Sequence, residues 1–308
     1  MFTLGKKQRI YRLASIQVGG QPGELPTVLV GNVFYKGMPE VSDHKNGIFD
    51  KDRVQRWIKV AETLSEKSGV PHLLDVMAMY PEAMRRYVSF VAEQTDAPFL
   101  IDGANSETRL AALEMVGQLG LEKTVVFNGI TPQTSQEELD ALRDAHVDAA
   151  VLMAFNELDY SPEGRISVLE GSEGQMGLFK TAKKAGVGRL LVDTIVFDVP
   201  SISYAADAIK LVKIKLGYPA GCSPANATYA WREAVKESIL CEGFAAANVS
   251  AHTIAQLWGA DFLIYGPLKQ AKNMIPACAL NSAIIAYYAM KRLGTKPRIK
   301  NHPLYMIF

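Results

Sequence analysis

"PFLIDGANSETRLAALEMVGQLGLEKTVVFNGIT", residues Pro98–Thr131, is the stretch whose reading decides the fold. It begins with an apolar run, Pro98–Asp102, turns, continues as an amphipathic stretch over Ser106–Leu119, and returns to a second apolar run, Thr124–Asn128. Short apolar runs bounded by turn residues predict strands buried on both faces. A helix-length connection between two such strands returns the chain to the same end of the sheet, so the strands are parallel.

The unit recurs along the chain. Strand-like runs are Thr27–Phe34, His72–Met77, Pro98–Asp102, Thr124–Asn128, Asp148–Ala154, Arg189–Asp193, Tyr218–Cys222 and Asp261–Tyr265. Between them, helical patterns cover Lys51–Ser68, Pro81–Gln94, Ser106–Leu119, Ser135–Ala145, Gly171–Ala185, Ser201–Leu216, Tyr229–Ala247 and Leu268–Leu293. Strict alternation over about 250 residues predicts an α/β fold of the (β/α)8 TIM-barrel type. The rival, a doubly wound open sheet, places a glycine-rich turn after its first strand; "VGNVFYKGMPE" (Val30–Glu40) lacks it. No linker or low-complexity tract divides the chain, so the expectation is one domain over residues 1–308, with a short N-terminal extension and an extended C-terminal tail.

Lys and Arg number 33 against 32 Asp and Glu, a net charge of +1, so no electrostatic footprint for nucleic acid or an anionic membrane exists. Cys222, Cys241 and Cys278 are odd in number and far apart, which argues against a disulfide framework or structural zinc and for a reducing cytoplasm. The N-terminal stretch has no apolar core of the signal-peptide kind. The longest apolar stretch, Met274–Met290, contains Pro276, Asn281 and Ser282 and falls short of the roughly 20 residues of a membrane span. It reads as a buried or interface helix.

In a barrel of this kind the carboxyl ends of the strands converge on one mouth. Those ends supply Asn32, Asp75, Asp102, Asn128, Asn156 and Asp193, with Asn226 just past the seventh strand. Any one of them has an ordinary alternative use as a turn former or helix N-cap. In "IDGANSETR", Asn105 or Ser106 can cap the following helix, which leaves Asp102 free for another task. The set is rich in carboxylates and amides and poor in the zinc ligands or rim lysine that metal-assisted or Schiff-base chemistry needs. Carboxylates accept hydrogen bonds and amides both donate and accept, a combination apt for a flat heterocycle with many N–H groups, such as a pterin.

Several motifs, in order, carry a resemblance: "GGQPGE" (Gly19–Glu24), "GIFDK" (Gly47–Lys51), "APFLID" (Ala97–Asp102), "AFNELD" (Ala154–Asp159) and "NATYAW" (Asn226–Trp231). They resemble the H-subunit family of methyltetrahydromethanopterin:coenzyme M methyltransferase and its relatives, the methylcorrinoid:tetrahydrofolate methyltransferases, including that of glycine betaine metabolism. The resemblance runs to the seventh strand and thins beyond it. It implies a pterin-binding barrel, usually a homodimer, that moves a methyl group between N5 of a reduced pterin and the cobalt of a separate corrinoid protein. On this reading Asp102, Asn128, Asp193 and Asn226 hold the pterin, with Asp102 and Asn226 also catalytic. Asn226 departs from the wider group's spacing, because "GCSPAN" interposes Pro224 and Ala225 after Ser223.

The implied reaction is transfer from a methylcorrinoid to tetrahydrofolate, with cobalamin supplied in trans and no metal held by the chain. The alternatives are a tetrahydromethanopterin-linked subunit and a non-catalytic pterin-binding subunit of a larger complex. Dihydropteroate synthase is a further rival, but it calls for basic residues at the rim. Met77, Met79, Tyr80 and Tyr160 are candidates to meet the corrinoid protein, and the tail "TKPRIKNHPLYMIF" is a candidate for docking or dimer contact.

Overall fold

The computed structural model describes residues 3–172 and 174–308. Among them, eight parallel strands close into a barrel: β1 (Val28–Val33), β2 (His72–Ala78), β3 (Phe99–Gly103), β4 (Val125–Ile130), β5 (Ala149–Met153), β6 (Arg189–Asp193), β7 (Ala220–Cys222) and β8 (Phe262–Pro267). Each strand pairs with its neighbours in chain order and β8 closes on β1, so the open sheet is excluded and each apolar run is a barrel strand.

Around the barrel run α1 (Lys51–Ser68), α2 (Pro81–Gln94), α3 (Ser106–Leu119), α4 (Gln136–Asp144), α5 (Pro162–Glu170), α6 (Leu178–Lys184), α7 (Ile202–Lys215), α8 (Pro224–Ala234), α9 (Phe244–Leu257) and α10 (Ala271–Tyr288). Several starts are fixed by side chains that take up otherwise unpaired N–H groups. Asp50 accepts from Arg53 N–H at 3.0 Å, Asn105 from Thr108 N–H at 2.9 Å, and Ser135 and Glu138 form a capping box.

Three helical expectations are corrected. The stretch Gly171–Ala185, whose residue 173 lies outside the described residues, is a small hairpin (Gly171–Ser172 with Gln175–Met176) followed by the shorter α6. The stretch Tyr229–Ala247 is two helices, separated by Lys236–Glu242, which lies almost wholly exposed, Ile239 and Leu240 included. Ser238 caps a 3-10 turn there, accepting from Leu240 N–H at 3.2 Å, before α9 begins. Helix α5 was not expected: it is 9 residues long and contains Gly164, so its periodicity is weak.

Side chains alternate between two cores. Val28, Val30, Leu73, Leu100, Val126, Val151, Leu191, Phe262 and Ile264 fill the barrel interior, while Leu29, Leu74, Phe99, Phe127 and Leu263 pack beneath the helices. Burial on both faces is why the strands read as continuous apolar runs. An N-terminal hairpin, Ile10–Leu13 and Ile16–Gly19, adds Leu13 and Val18 to the interior cluster and so plugs the bottom of the barrel. At Gly19 (φ 108°) a Cβ would stand 2.2 Å from the Arg9 carbonyl oxygen, so the "GGQPGE" motif closes this plug.

The same motif anchors a buried ion pair. Lys213 Nζ, on α7, donates to Asp261 Oδ1 and to the Gly20 carbonyl at 3.1 Å, and Ala220 N–H donates to Asp261 Oδ2 at 3.0 Å. The C-terminal tail also belongs to this end: Arg298 pairs with Glu24 at 3.1 Å, His302 is fully buried, and Pro303–Met306 packs on α1 and α10. The tail thus lies against its own barrel, with Tyr305, Met306, Ile307 and Phe308 left exposed at its end. No helix among the described residues is long and apolar enough to cross a membrane.

Removing one member of a buried pair leaves the other charge uncompensated. Asp261→Ala is therefore expected to destabilise the fold by roughly 3–5 kcal/mol, measured by urea unfolding, and the double variant Lys213→Met/Asp261→Leu by less.

Candidate functional site

The interior face of the barrel changes character along each strand. Period-two spacing carries Val28 and Val30 to Asn32, Leu73 to Asp75 and Met77, Leu100 to Asp102, Val126 to Asn128, and Leu191 to Asp193. Below, the interior is apolar; at the carboxyl end it is lined by carboxylates and amides. Strand register sets Asn32 beside Asp75 and Met77 beside Asp102.

Asp75 is 1% exposed and lies deepest in the set. Asn128 Nδ2 donates to its Oδ1 at 3.4 Å. Burial pushes the Asp75 carboxyl well above the usual carboxylate range, nearby Asp102 and Asp193 add to the rise, and the Asn128 bond opposes it. Burial thus favours the protonated form of Asp75, in which the carboxyl can donate as well as accept. Asp102 is pushed up to about 6 by burial, with Arg109 on α3 opposing the rise. Arg109 is itself held by Glu138 and by the Gly103 carbonyl at 2.9 Å. Asp193 is likewise pushed up to about 6 by burial, opposed by Ile195 N–H and by Arg165.

The predicted residues do not all share this pocket. Asn105 caps α3 as anticipated, which leaves Asp102 unencumbered. Asn128 lies in β4, two residues before its end, where the register with β5 shifts. Asn32 donates from Nδ2 to Met77 Sδ at 3.1 Å, and its buried Oδ1 has no partner. Asn226 stands exposed in the first turn of α8, beyond β7, where Ser223 Oγ donates to its Oδ1 at 3.3 Å. Asn156 is committed elsewhere: its Oδ1 accepts from Leu158 N–H (3.0 Å) and Asp159 N–H (3.2 Å), and its Nδ2 donates to the Gly164 carbonyl (3.2 Å). It shapes the β5–α5 loop and is not part of the mouth. Met79, Tyr80 and Tyr160 are exposed on the loops above, while Met77 is half-buried.

Arg165 escaped sequence reasoning, because "SPEGRISVLEG" reads as an ordinary exposed segment. It is 2% exposed, buried behind Asp193. Among the described residues, no three His, Cys, Asp or Glu side chains gather so as to hold a metal ion.

Residues 6–298 match the family model described as "Tetrahydromethanopterin S-methyltransferase MtrH subunit". The chain belongs to this family. The match extends past the seventh strand, where the resemblance carried by the motifs thins. The MtrH-type subunit of tetrahydromethanopterin S-methyltransferase from Methanothermobacter thermautotrophicus is 36% identical over the full length of both chains. The corresponding subunit of the putative mtx methyltransferase of Methanosarcina barkeri is 33% identical, again over the full length of both. Among solved structures, dihydropteroate synthase of Yersinia pestis with a pterine-sulfa conjugate superposes with TM-score 0.60 at 12% identity, over 90% of this chain and 99% of that one. The Xanthomonas albilineans enzyme with 4-aminobenzoic acid gives TM-score 0.57 at 18% identity, over 90% and 98%. That likeness is one of fold; the sequence match is what places the chain in the MtrH methyltransferase family.

Because Asp75 binds its proton more tightly in the folded protein than in the unfolded chain, its cost to stability appears as pH rises above the unfolded carboxylate value of about 3.9. Asp75→Asn is expected to match the wild type in thermal stability near pH 4. It should exceed it by a margin that grows toward pH 8, as scanning calorimetry would show.

Proposed function

We propose that the mouth binds a reduced pterin and that the chain moves a methyl group between N5 of that pterin and a corrinoid carried by a partner protein. The observation that carries this reading is the convergence of Asp75, Asp102, Asn128 and Asp193 on one interior face, a mixed donor and acceptor surface matched to the amino, ring N–H and carbonyl groups of a pterin edge. Asn226 is assigned to N5 by its place at the rim.

Sequence motifs alone put tetrahydrofolate first and tetrahydromethanopterin second. The names of the full-length relatives reverse that order, so a tetrahydromethanopterin-type substrate is the better proposal. Both pterins present the same edge to the residues of the mouth.

The corrinoid supplies the cobalt that gives or receives the methyl group. When N5 accepts the methyl, the N5–carbon bond would form as the bond from that carbon to cobalt breaks with its electron pair left on cobalt, and the N5 proton would leave to solvent. Asn226 Oδ1 then accepts from N5–H before transfer; in the reverse direction its Nδ2 donates to N5, so one amide serves both states. Asp102 and Asp193 accept from the pterin N–H groups and fix the ring in line. Positioning of two large reactants in this way is worth roughly 7–11 kcal/mol of the barrier. Exposed Met79, Tyr80 and Tyr160 stand where the corrinoid protein would approach.

Each charge-assisted bond is worth roughly 1.5–3 kcal/mol, or about 10- to 150-fold in affinity. Asp102→Ala is expected to weaken tetrahydromethanopterin binding by that factor in calorimetry, while Asn226→Ala slows methyl transfer, followed by the cobalt(I) spectrum, more than it weakens binding. An ionised carboxylate accepts more strongly than a protonated one, so wild-type affinity should fall as pH drops through about 6. Unchanged affinity in Asp102→Ala, or tighter binding of tetrahydrofolate, would count against the reading.

A homodimer is part of the same proposal. The apolar side chains Leu280, Ile284 and Tyr287 on α10, Ile254 on α9 and Trp258 just past its end are exposed on two helices that pack together. Ile284→Glu is expected to convert a dimer into monomers in sedimentation velocity, with secondary structure unchanged.

A further inference from the structure

Arg165 sits outside the groups assigned to the pterin, yet its guanidinium joins two loops of the mouth. It donates to the Tyr160 carbonyl on the β5–α5 loop and, at 3.2 Å, to the Ile195 carbonyl just past β6. Ile195 has φ 55°, a left-handed conformation that is rare for a β-branched residue and persists only where the surroundings hold it. Its N–H donates to Asp193 Oδ1 at 2.7 Å. A single strained residue therefore has its carbonyl fixed by Arg165 and its amide fixed on Asp193. The adjoining Thr194 is tied down as well, its hydroxyl donating to the Ala205 carbonyl at 2.9 Å.

We infer that Arg165 is a positioning residue for Asp193: by holding the Ile195 carbonyl it fixes the turn whose N–H binds the Asp193 carboxylate, and so fixes where that carboxylate points. The same guanidinium holds the loop bearing Tyr160, whose ring packs edge-on against Phe197 (centroids 5.1 Å) beside Phe155. The aromatic wall of the mouth and the orientation of Asp193 thus depend on one buried cation.

The titratable and charged groups that face Asp193 are Arg165 from α5, Asp75 from β2 and Cys222 from β7. Of these Arg165 alone is cationic, and it opposes the rise that burial imposes. Its loss leaves the carboxyl against burial and a second acid.

The inference rests on Asp193 being a pterin ligand, and the test separates the two claims. The Asp193 carboxyl is followed by 13C NMR through a pH titration of the free protein, its resonance assigned with Asp193→Asn; tetrahydromethanopterin affinity is then measured at pH 7 and pH 9. In Arg165→Met the midpoint is expected to rise by about one unit, with affinity about twofold weaker at pH 7, where the ionised fraction falls from about nine-tenths to about half, and recovering toward pH 9. Arg165→Lys, which keeps the charge, should restore most of the midpoint. Glycine adopts the left-handed conformation freely, so Arg165→Met/Ile195→Gly carries the same readout if Arg165→Met does not fold. An unchanged midpoint, or an affinity loss equal at both pH values, overturns the role of Arg165. If the wild type binds no pterin at either pH, the pterin reading fails, while the midpoint still decides the positioning role.

Discussion

Three aspartates on the interior face of one closed barrel, held away from water, are the constraint on which the rest of this structure turns. Burial raises all three, and at Asp75 the neighbouring Asp102 and Asp193 add to the rise. The protonated form of Asp75 is thereby favoured, and its Oδ1 accepts from the Asn128 amide. Asp102 and Asp193 each have a cation set behind them, Arg109 and Arg165. The consequence is a surface with donors and acceptors at fixed places, which two hydrated carboxylates on a loop would not provide.

The scaffold below exists to keep that surface rigid. The interior under the mouth is dry and filled by branched side chains, and the hairpin and tail close the opposite end around the Lys213–Asp261 pair. One motif that carried the family resemblance lies in this support: "GGQPGE" presents a glycine where no Cβ fits and a carbonyl to Lys213. "GIFDK" instead opens α1 at the mouth end, and "APFLID" ends there on Asp102.

Much of this was legible in one chain, and for a definite reason. A strand buried on both faces must be apolar throughout, so the one polar residue near its end stands out; Asp102, Asn128 and Asp193 were visible for that reason. Asn156 stood out in the same way, yet its hydrogen bonds go to its own loop, because it lies three residues beyond the end of β5 and its amide is taken up by nearby N–H groups. Arg165 was invisible because an arginine on a short helix looks solvated, and only the packing of α5 against α7, with the guanidinium turned to the Ile195 carbonyl, removes it from water.

What the sequence by itself determined is the alternation of buried strands and helices, the barrel it requires, and the carboxylates and amides at the strand ends, since these follow from periodicity and composition along the chain. Only the tertiary structure decided which of those groups face inward together, which carboxyl keeps its proton, and which buried cation stands behind each of the others. Those properties depend on burial and on distances between residues far apart in sequence, and local patterning carries no record of either.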